Sequence, residues 1–225
     1  MKSGLFITFE GLDGSGKSTQ LRRAVRYLRQ CGHRVRVTRE PGGTRTGERV
    51  RDILLASKTG KLAPLAELAL MYAARAQLLE EVVRPALTLG DIVVSDRYNT
   101  ASFAYQGYGR GLGAATVRAF DRVICGDTQP DLTIILDLNP ERALGRARGD
   151  ARRGAHLDRI EAQGLAFHKR VRAGYLAVAR RSPQRIKLVR ADQSIDKIQD
   201  QVRALLEPVL AVWHRDAKTG TRKSR

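Results

Sequence analysis

The chain has 225 residues, and its 41 Lys and Arg residues outnumber its 23 Asp and Glu residues to give a formal net charge of +18. This length suits one compact α/β domain with a sizeable core. Cys31 and Cys125 lie far apart and match no metal-ligand spacing, which excludes a disulfide framework and a cysteine metal site. No apolar run is long enough for a membrane span or a signal-peptide core, so we expect a cytoplasmic protein without a membrane partner.

The positive charge is concentrated in two places. An arginine cluster lies among glycines in the range 142–159 and consists of Arg142, Arg146, Arg148, Arg152, Arg153 and Arg159. We interpret the range 142–157 as a lid on one domain spanning 1–212, and the basic range 213–225 as a disordered, solvated tail. The overall charge fits either a nucleic-acid partner or an enzyme for polyanionic nucleotides.

The first predicted element in chain order is a strand at Leu5–Phe9, which leads into a phosphate-binding loop. The loop has every required residue: Gly11, Leu12, Asp13, Gly14, Ser15, Gly16, Lys17 and Ser18. The glycines allow successive backbone N–H groups to converge on phosphate oxygens. Lys17 can reach the β- and γ-phosphates, the Ser18 hydroxyl can bind Mg²⁺, and the following helix presents its N-terminus to the anion. The sequence therefore predicts a protein that binds a nucleotide through its phosphates.

Short apolar runs and helical spacings alternate along the rest of the chain. The predicted strands are Leu5–Phe9, Val35–Thr38, Ile92–Ser95, Leu132–Leu138 and Ile186–Val189. The predicted helices are Lys17–Gln30, Thr46–Ala56, Leu65–Leu87, Ala114–Cys125, Pro140–Arg148, Leu157–Arg181 and Ser194–Val212. This alternation predicts βαβ units, and hence a parallel five-stranded sheet with helices on both faces. Ligands in such folds bind beyond the carboxyl ends of the strands.

Polar residues follow three of the predicted strands. After the second strand, Arg39–Thr44 contains a proline and two glycines and predicts a turn. After the third strand, Asp96 can hold Mg²⁺ and Arg97 can bind phosphate, although an ion pair between them explains the same two residues. Asp137 ends the fourth strand and is a rival for the metal-binding acid. Periodicity does not choose between the two acids.

Arg75 lies on a mainly apolar face of the predicted helix Leu65–Leu87, together with Met71. A buried arginine usually pairs with an acid or extends its charged end to solvent. Beside a nucleotide pocket, the same side chain can donate a hydrogen bond to a base carbonyl. Both interpretations of Arg75 stay open.

Six segments, taken together and in order, resemble the thymidylate kinase family. They are Phe9–Gln20, Thr38–Thr44, Asp96–Tyr98, Ala104–Gly107, Pro130–Thr133 and Asp158–Glu161. The resemblance covers about residues 5–212 and implies a P-loop nucleoside-monophosphate-kinase fold with an arginine-rich lid. It also implies transfer of the ATP γ-phosphate to dTMP, giving dTDP and ADP, with Mg²⁺ as cofactor and a homodimer as the usual assembly.

The resemblance assigns roles to the residues that match. Asp13 is similar to the family's acid near the sugar hydroxyl and the acceptor phosphate, Tyr105 to the ring that favours deoxyribose, and Arg75 to the contact with the thymine carbonyl. The residues that resemble the clamps on the dTMP phosphate are Arg39, Arg51 and Arg97.

The resemblance also bears on the metal and on the lid. It favours Asp96 over Asp137 as the metal-binding acid beside Ser18, with Glu161 as a weaker candidate. Gly14 stands where some members have an arginine, which resembles the subclass that supplies a catalytic arginine from the lid. The lid candidates are Arg148, Arg152 and Arg153. The expected catalytic set is Lys17, Arg97, Arg153 and Asp13.

The chain departs from the family in the base and sugar region. Many relatives have Phe where Met71 stands, and an acid and a serine near Thr100 and Ala101, which leaves Ser102 as the nearest hydroxyl. We therefore expect dTMP binding with weaker discrimination against dUMP. The alternatives are a kinase for another nucleoside monophosphate, such as dUMP, and a nucleic-acid-binding P-loop ATPase.

Overall fold

The structure is a computed structural model that describes residues 4–152 and 158–219. Its five strands form one parallel sheet in the order β2-β3-β1-β4-β5. The strands are β1 (Leu5–Gly11), β2 (Val35–Arg39), β3 (Ile92–Asp96), β4 (Leu132–Asp137) and β5 (Ile186–Arg190). The predicted parallel five-stranded sheet is confirmed, and every strand begins at the predicted residue.

Helices connect successive strands of the sheet, and one further helix follows the last strand. They are α1 (Lys17–Gln30), α2 (Arg45–Leu55), α3 (Pro64–Leu78), α4 (Arg84–Thr88), α5 (Asn99–Ser102), α6 (Gly113–Ile124), α7 (Pro140–Arg152), α8 (Leu165–Arg181) and α9 (Ile195–Thr219). A short 3₁₀ turn spans Ser57–Thr59, and π-helical turns span Leu79–Val83 and Phe103–Gly109.

Successive residues of a strand point to opposite faces of the sheet, and helices cover both faces. Phe6 and Val93 are fully buried in a cluster with residues of α3, α4 and α6. Their neighbours Ile7 and Val94 are fully buried in the larger cluster, to which α1, α8 and α9 contribute. The buried strands hold the phosphate loop and the turns after β2 and β3 at one edge of the sheet.

One long helix was predicted where the structure has three pieces. The predicted range Leu65–Leu87 contains α3, a π-helical turn at Leu79–Val83, and α4. Pro85 is the physical reason, because a proline inside a helix has no N–H to donate and its ring crowds the carbonyl four residues earlier. The wider π turn just before Pro85 accommodates that ring.

Helix α8 begins at Leu165, eight residues after the predicted start at Leu157. The Asp158 carboxylate accepts hydrogen bonds from the backbone N–H groups of Ile160 and Glu161, at 2.7 and 2.8 Å. These bonds cap a single turn at residues 159–162, and Gly164, whose backbone is extended, separates that turn from α8.

The last helix is longer than predicted. Helix α9 continues past Val212 to Thr219, so residues 213–219 of the predicted tail are helical, and residues 220–225 lie outside the described residues. The Trp213 ring lies edge-on to His33, with ring centroids 5.5 Å apart, and this contact fixes the extension against the end of α1. None of the helices in the described part of the chain is long and apolar enough to span a membrane.

Candidate active site

A cavity of about 240 Å³ opens at the carboxyl ends of β1, β2 and β3. It brings together residues from the phosphate loop, the turns after β2 and β3, and helices α2, α3 and α5. The sequence-predicted residues that line it are Asp13, Lys17, Ser18, Arg39, Arg51, Met71, Arg75, Asp96, Arg97, Ser102 and Tyr105. Positions far apart in the chain, such as Asp13 and Tyr105, which are separated by 92 residues, therefore meet in one site.

The phosphate loop joins β1 to α1 and depends on its glycines. Gly11, Gly14 and Gly16 have φ angles of 134°, 78° and 90°. A Cβ atom at Gly14 would lie 2.2 Å from the backbone oxygen of Ala143 on α7. Glycine is required there for both reasons, because its backbone is left-handed and another helix leaves no space for a side chain.

Lys17 lies at the start of α1 and is 6% exposed. Its ammonium group donates hydrogen bonds to the Leu12 carbonyl at 3.0 Å and to the Asp13 carboxylate at 3.2 Å. Leu12 and Ser15 are buried under the loop, whereas Ser18 is exposed toward the cavity opening. The lysine is thus held at the loop in a position from which a phosphate could replace its present acceptors.

Arg97 adopts a left-handed backbone with φ of 70°, which is uncommon for a residue other than glycine. Its guanidinium donates to the Gly11 carbonyl at 3.0 Å, to the Tyr175 hydroxyl at 3.1 Å and to the Asp13 carboxylate at 2.5 Å. The Tyr105 ring lies 5.0 Å from the guanidinium carbon. The unusual backbone therefore directs Arg97 at the phosphate loop rather than at its neighbour Asp96.

Asp13 lies between two cations. Burial acts to raise the pKa of its carboxyl group, but Arg97 and Lys17 outweigh burial and hold that pKa well below the usual range. The hydroxyl of Tyr105 donates to its second oxygen at 3.3 Å. Asp13 is consequently ionised at neutral pH and links Lys17, Arg97 and Tyr105 at the centre of the cavity.

Glu10 is a buried acid that stabilises the turn after β3, which contains Arg97. It is fully buried on β1 and accepts hydrogen bonds from the backbone N–H groups of Tyr98 and Ala101 and from the Tyr175 hydroxyl. Burial raises the pKa of Glu10 to about 7, against the opposing effect of Arg97. The tyrosine hydroxyl thereby connects Arg97 to Glu10 through two hydrogen bonds.

Two further arginines face the same cavity. Arg39 is 55% exposed and pairs with Glu48 at 2.8 Å, and Arg51 donates to the Pro41 carbonyl at 2.8 Å. Partial burial and the nearby Arg39 charge lower the pKa of Arg51. Arg39, Arg51 and Arg97 thus bring three guanidinium groups to the same cavity, and guanidinium groups can bind phosphate in a planar, bidentate geometry.

Arg75 pairs with an acid and also lines the cavity. Its guanidinium donates to Glu40 at 2.7, 2.8 and 3.1 Å and to the Ser102 hydroxyl at 3.0 Å, and the side chain is 2% exposed. Its remaining nitrogen, Nη1, is buried and has no hydrogen-bond partner among the described residues. A buried donor without a partner is costly. A carbonyl group of a ligand beside Met71 and Ser102 would satisfy it.

The two candidate metal-binding acids have different surroundings. Asp137 accepts hydrogen bonds of 2.7 and 2.8 Å from Arg172 and does not line the cavity, whereas Asp96 lines it together with Ser18. Glu161 also lines the cavity, and burial together with the Asp13 charge raises its pKa. Within residues 4–152 and 158–219, no cluster of three or more His, Cys, Asp or Glu side chains is arranged to hold a metal by itself.

The predicted lid is described only in part. Residues 142–152 belong to α7, where the Arg148 side chain is exposed. The side chain of Arg152 and all of Arg153 lie outside the described residues, as does the rest of the range to 157.

Sequence reasoning missed four residues that shape the site. The Glu40 carboxylate forms a buried ion pair with Arg75. Glu10 and Tyr175 accept hydrogen bonds from the turn that contains Arg97. Gln106 lines the same cavity as Arg75. The requirement for an acid opposite a buried arginine was the available signal for Glu40, which directly follows β2. Nothing local indicated Tyr175, because its partners lie 78 and 165 residues away.

Known proteins match this chain over most of its length. A family model described as Thymidylate kinase matches residues 9–202. Proteins named thymidylate kinase from an Exiguobacterium strain and from Pseudomonas putida GB-1 are 48% and 47% identical, covering 89% and 92% of this chain and 92% and 97% of theirs. The crystal structure of thymidylate kinase from Ehrlichia chaffeensis is 31% identical, with a TM-score of 0.73 over 91% of this chain and 98% of that one.

These matches do not favour a nucleic-acid-binding ATPase, and they confirm the P-loop nucleoside-monophosphate-kinase fold. The six motif segments and the cavity that they build agree with the matches. The chain therefore belongs to the thymidylate kinase family.

Proposed function

We propose that this protein transfers the γ-phosphate of ATP to dTMP, producing dTDP and ADP. One observation carries the proposal: the phosphate loop and the three arginines Arg39, Arg51 and Arg97 line a single cavity. A loop of this kind binds a triphosphate, and clustered arginines bind a second phosphate. The cavity thus suits a mononucleotide acceptor whose phosphate meets a triphosphate bound at the loop, and membership of the family supports dTMP as the acceptor.

In the proposed reaction, an oxygen of the dTMP phosphate attacks the γ-phosphorus of ATP. The new P–O bond forms as the bond to the β–γ bridging oxygen breaks, and that oxygen leaves with ADP. The protein's task is to align the two phosphates and to neutralise the charge that gathers on the transferred group. Lys17 and Arg97 donate hydrogen bonds to the loop carbonyls of Leu12 and Gly11 and line the cavity, so both fit this task, and Arg153 of the lid is proposed as a third.

Mg²⁺ is proposed as the cofactor, and the residues present fit it. Ser18 and Asp96 both line the cavity and supply a hydroxyl and a carboxylate oxygen, and oxygen ligands are those that Mg²⁺ prefers. When bound, the ion would neutralise charge on the ATP phosphates.

We propose that Arg75, Met71, Ser102 and Tyr105 determine which acceptor nucleotide binds. The partnerless Nη1 of Arg75 is a donor for a base carbonyl, and Met71 offers a flexible apolar surface to the base. Ser102 holds Arg75 in place, and Tyr105, whose hydroxyl bonds Asp13, is proposed to crowd the 2′ position of the sugar.

A homodimer in the cytoplasm is proposed as the working form. Three exposed apolar side chains lie on three neighbouring helices: Ile53 on α2 (46% exposed), Leu65 on α3 (52%) and Val123 on α6 (84%). Pairing of two such faces would remove these side chains from water. Analytical ultracentrifugation of the purified chain tests this, and a monomer at micromolar concentration would contradict it.

The proposed function is tested with a panel of nucleoside monophosphates, each supplied with ATP and Mg²⁺, with ADP release as the readout. We expect dTMP to be the preferred acceptor and dUMP to be the next. Retention of ATP without transfer to any monophosphate would overturn the proposal, and preference for another base would overturn the assignment of dTMP.

A further inference from the structure

A second cavity lies against the other face of the segment Asn99–Gly109. It has a volume of about 240 Å³, the same as the candidate active site, and no residue lines both cavities. Its walls come from α6, from the C-terminal end of α8, and from the first residues of β4 and β5. These two cavities therefore share one wall, and each is of mononucleotide size.

Three arginines line this second cavity. Arg118 lies on α6, Arg181 ends α8, and Arg185 precedes β5; all three are exposed. Their guanidinium groups have no ion pair or hydrogen bond with any residue in the described ranges 4–152 and 158–219. Like charges gathered at one cavity repel each other, and guanidinium groups bind phosphate in a planar, bidentate geometry. An anionic ligand would compensate all three.

Asp121 is the one acid among the described residues that line this cavity. Its carboxylate accepts hydrogen bonds from the amide of Asn99 at 3.0 Å and from Gln129 at 3.2 Å. Neither of these donors is an arginine, so the acid does not neutralise the three guanidinium groups by direct pairing. The net charge of the lining stays positive.

The rest of the lining is suited to an organic ligand. The rings of Phe103 and Tyr108 and the apolar side chains of Val178 and Ile186 line the same cavity as the arginines. A site that combines apolar and aromatic walls with a few cationic groups suits a planar base or sugar that carries phosphate. We propose that this cavity binds a second phosphorylated ligand of the nucleotide class, one per chain, separate from the acceptor and donor of the reaction.

The shared wall gives this site a route to the candidate active site. Ala101, Ser102 and Tyr105 face the active-site cavity, whereas Asn99 and Phe103 face the second one. From Phe103 onward the segment is π-helical, a geometry often found at functional sites. A ligand in the second cavity would bias the positions of Ser102 and Tyr105 and thereby alter acceptor binding. This coupling rests on the proposed function, whereas ligand binding itself does not.

The test uses the full chain with its active site filled by saturating dTMP, Mg²⁺ and a non-hydrolysable ATP analogue, in about 150 mM salt. Calorimetric titration then uses two probes, inorganic pyrophosphate and CDP, which share a diphosphate and differ by the nucleoside. We expect one molecule of each probe per chain, with CDP binding more tightly. The variant Arg118→Ala/Arg185→Ala should bind both probes at least tenfold more weakly. The control Arg122→Ala/Arg180→Ala removes two exposed arginines that do not line the cavity, one on α6 and one at the C-terminal end of α8, and should bind like the wild type.

If both double variants bound the probes equally weakly, the proposed site would be overturned, because the probes would then be attracted by the general positive charge of the protein. Absence of one-to-one binding would also overturn it, and equal affinity for the two probes would overturn the nucleotide class. For the coupling, CDP should shift the KM for dTMP by about fivefold in the wild type and not in Arg118→Ala/Arg185→Ala. Failure to phosphorylate dTMP would reject the proposed function but leave the pyrophosphate titration to decide the site.

Discussion

The Glu10 carboxylate accepts a hydrogen bond of 2.9 Å from the backbone N–H of Tyr98, which lies 88 residues later in the chain. This bond fixes the residue directly after Arg97, whose own backbone is left-handed. A buried acid on β1 therefore helps to set the direction of Arg97, which directly follows β3 and is proposed to bind phosphate.

Glu10 also makes stability depend on pH in a way that can be measured. Its pKa is about 7 in the folded chain, against an ordinary value of 4.5. The folded state binds the proton more tightly, so the Glu10 contribution is complete below pH 4.5 and is lost as pH rises through about 7. The contribution is on the order of 3 kcal/mol.

The variant Glu10→Gln keeps an oxygen acceptor for the Tyr98 N–H and removes the titration. Urea unfolding at pH 4.5 and pH 8 should show the wild type losing about 3 kcal/mol relative to this variant. Asp13 is present in both proteins, so its own titration cancels in the comparison. The exposed Glu80→Gln serves as the control. Identical pH dependence in Glu10→Gln and the wild type would contradict the role of Glu10.

Lys17 carries the second prediction. Replacement by Ala removes the ammonium group held at the phosphate loop, and turnover should fall by at least ~10²-fold, as expected for loss of a major transition-state contact. Steady-state ADP release measures the effect, with Lys197→Ala on α9 as a matched surface control. Near-normal turnover of the Lys17 variant would refute its role in phosphoryl transfer.

The buried pair of Glu40 and Arg75 should be far more sensitive than a surface pair. Glu40→Ala leaves the guanidinium buried without its acid, and we expect a loss of about 3–5 kcal/mol in the free energy of unfolding. Glu80→Ala breaks the exposed pair with Arg84 and should cost less than about 1 kcal/mol. Urea unfolding of both variants makes the comparison, and equal losses would be inconsistent with a buried structural pair.

Met71 is expected to set how sharply thymine is distinguished from uracil. Met71→Phe places a ring in the base region, and we expect the ratio of kcat/KM for dTMP over dUMP to rise by about 2- to 10-fold. Met71→Leu changes the thioether without adding a ring and should leave the ratio near that of the wild type. An unchanged ratio in Met71→Phe would show that another contact controls base choice.

The two acids Asp96 and Asp137 make a matched pair for testing the metal site. Asp96→Asn should lower turnover by at least about 10-fold and raise the Mg²⁺ concentration needed for half-maximal rate. Asp137→Asn weakens the pair with Arg172 outside the cavity and should change neither quantity appreciably. A titration of rate against Mg²⁺ for both variants decides the matter, and the reverse pattern would assign the metal to Asp137.

The central strands β1, β3 and β4 were predicted well because they are buried on both faces and are rich in apolar residues. The edge strands β2 and β5 are partly exposed, and their shorter apolar patterns were still sufficient to predict them. The phosphate loop was predicted because glycine and lysine are required there by local geometry. The segment Asn99–Gly109 was not predicted. Glu10 of β1 accepts hydrogen bonds from the N–H groups of Tyr98 and Ala101 at its start, and local spacing does not indicate contacts with such a distant residue. The pairing of Arg75 with Glu40 stayed open for a similar reason, because it joins residues 35 positions apart.

The contact between Gly14 and the Ala143 carbonyl has an evolutionary consequence. A single codon change that introduced an arginine into the loop would drive its Cβ into the backbone of α7. Some family members are expected to have an arginine in the loop, and others to supply one from the lid. A change between these two arrangements therefore requires a coordinated displacement of α7. A lineage cannot drift from one arrangement to the other through one tolerated substitution at Gly14.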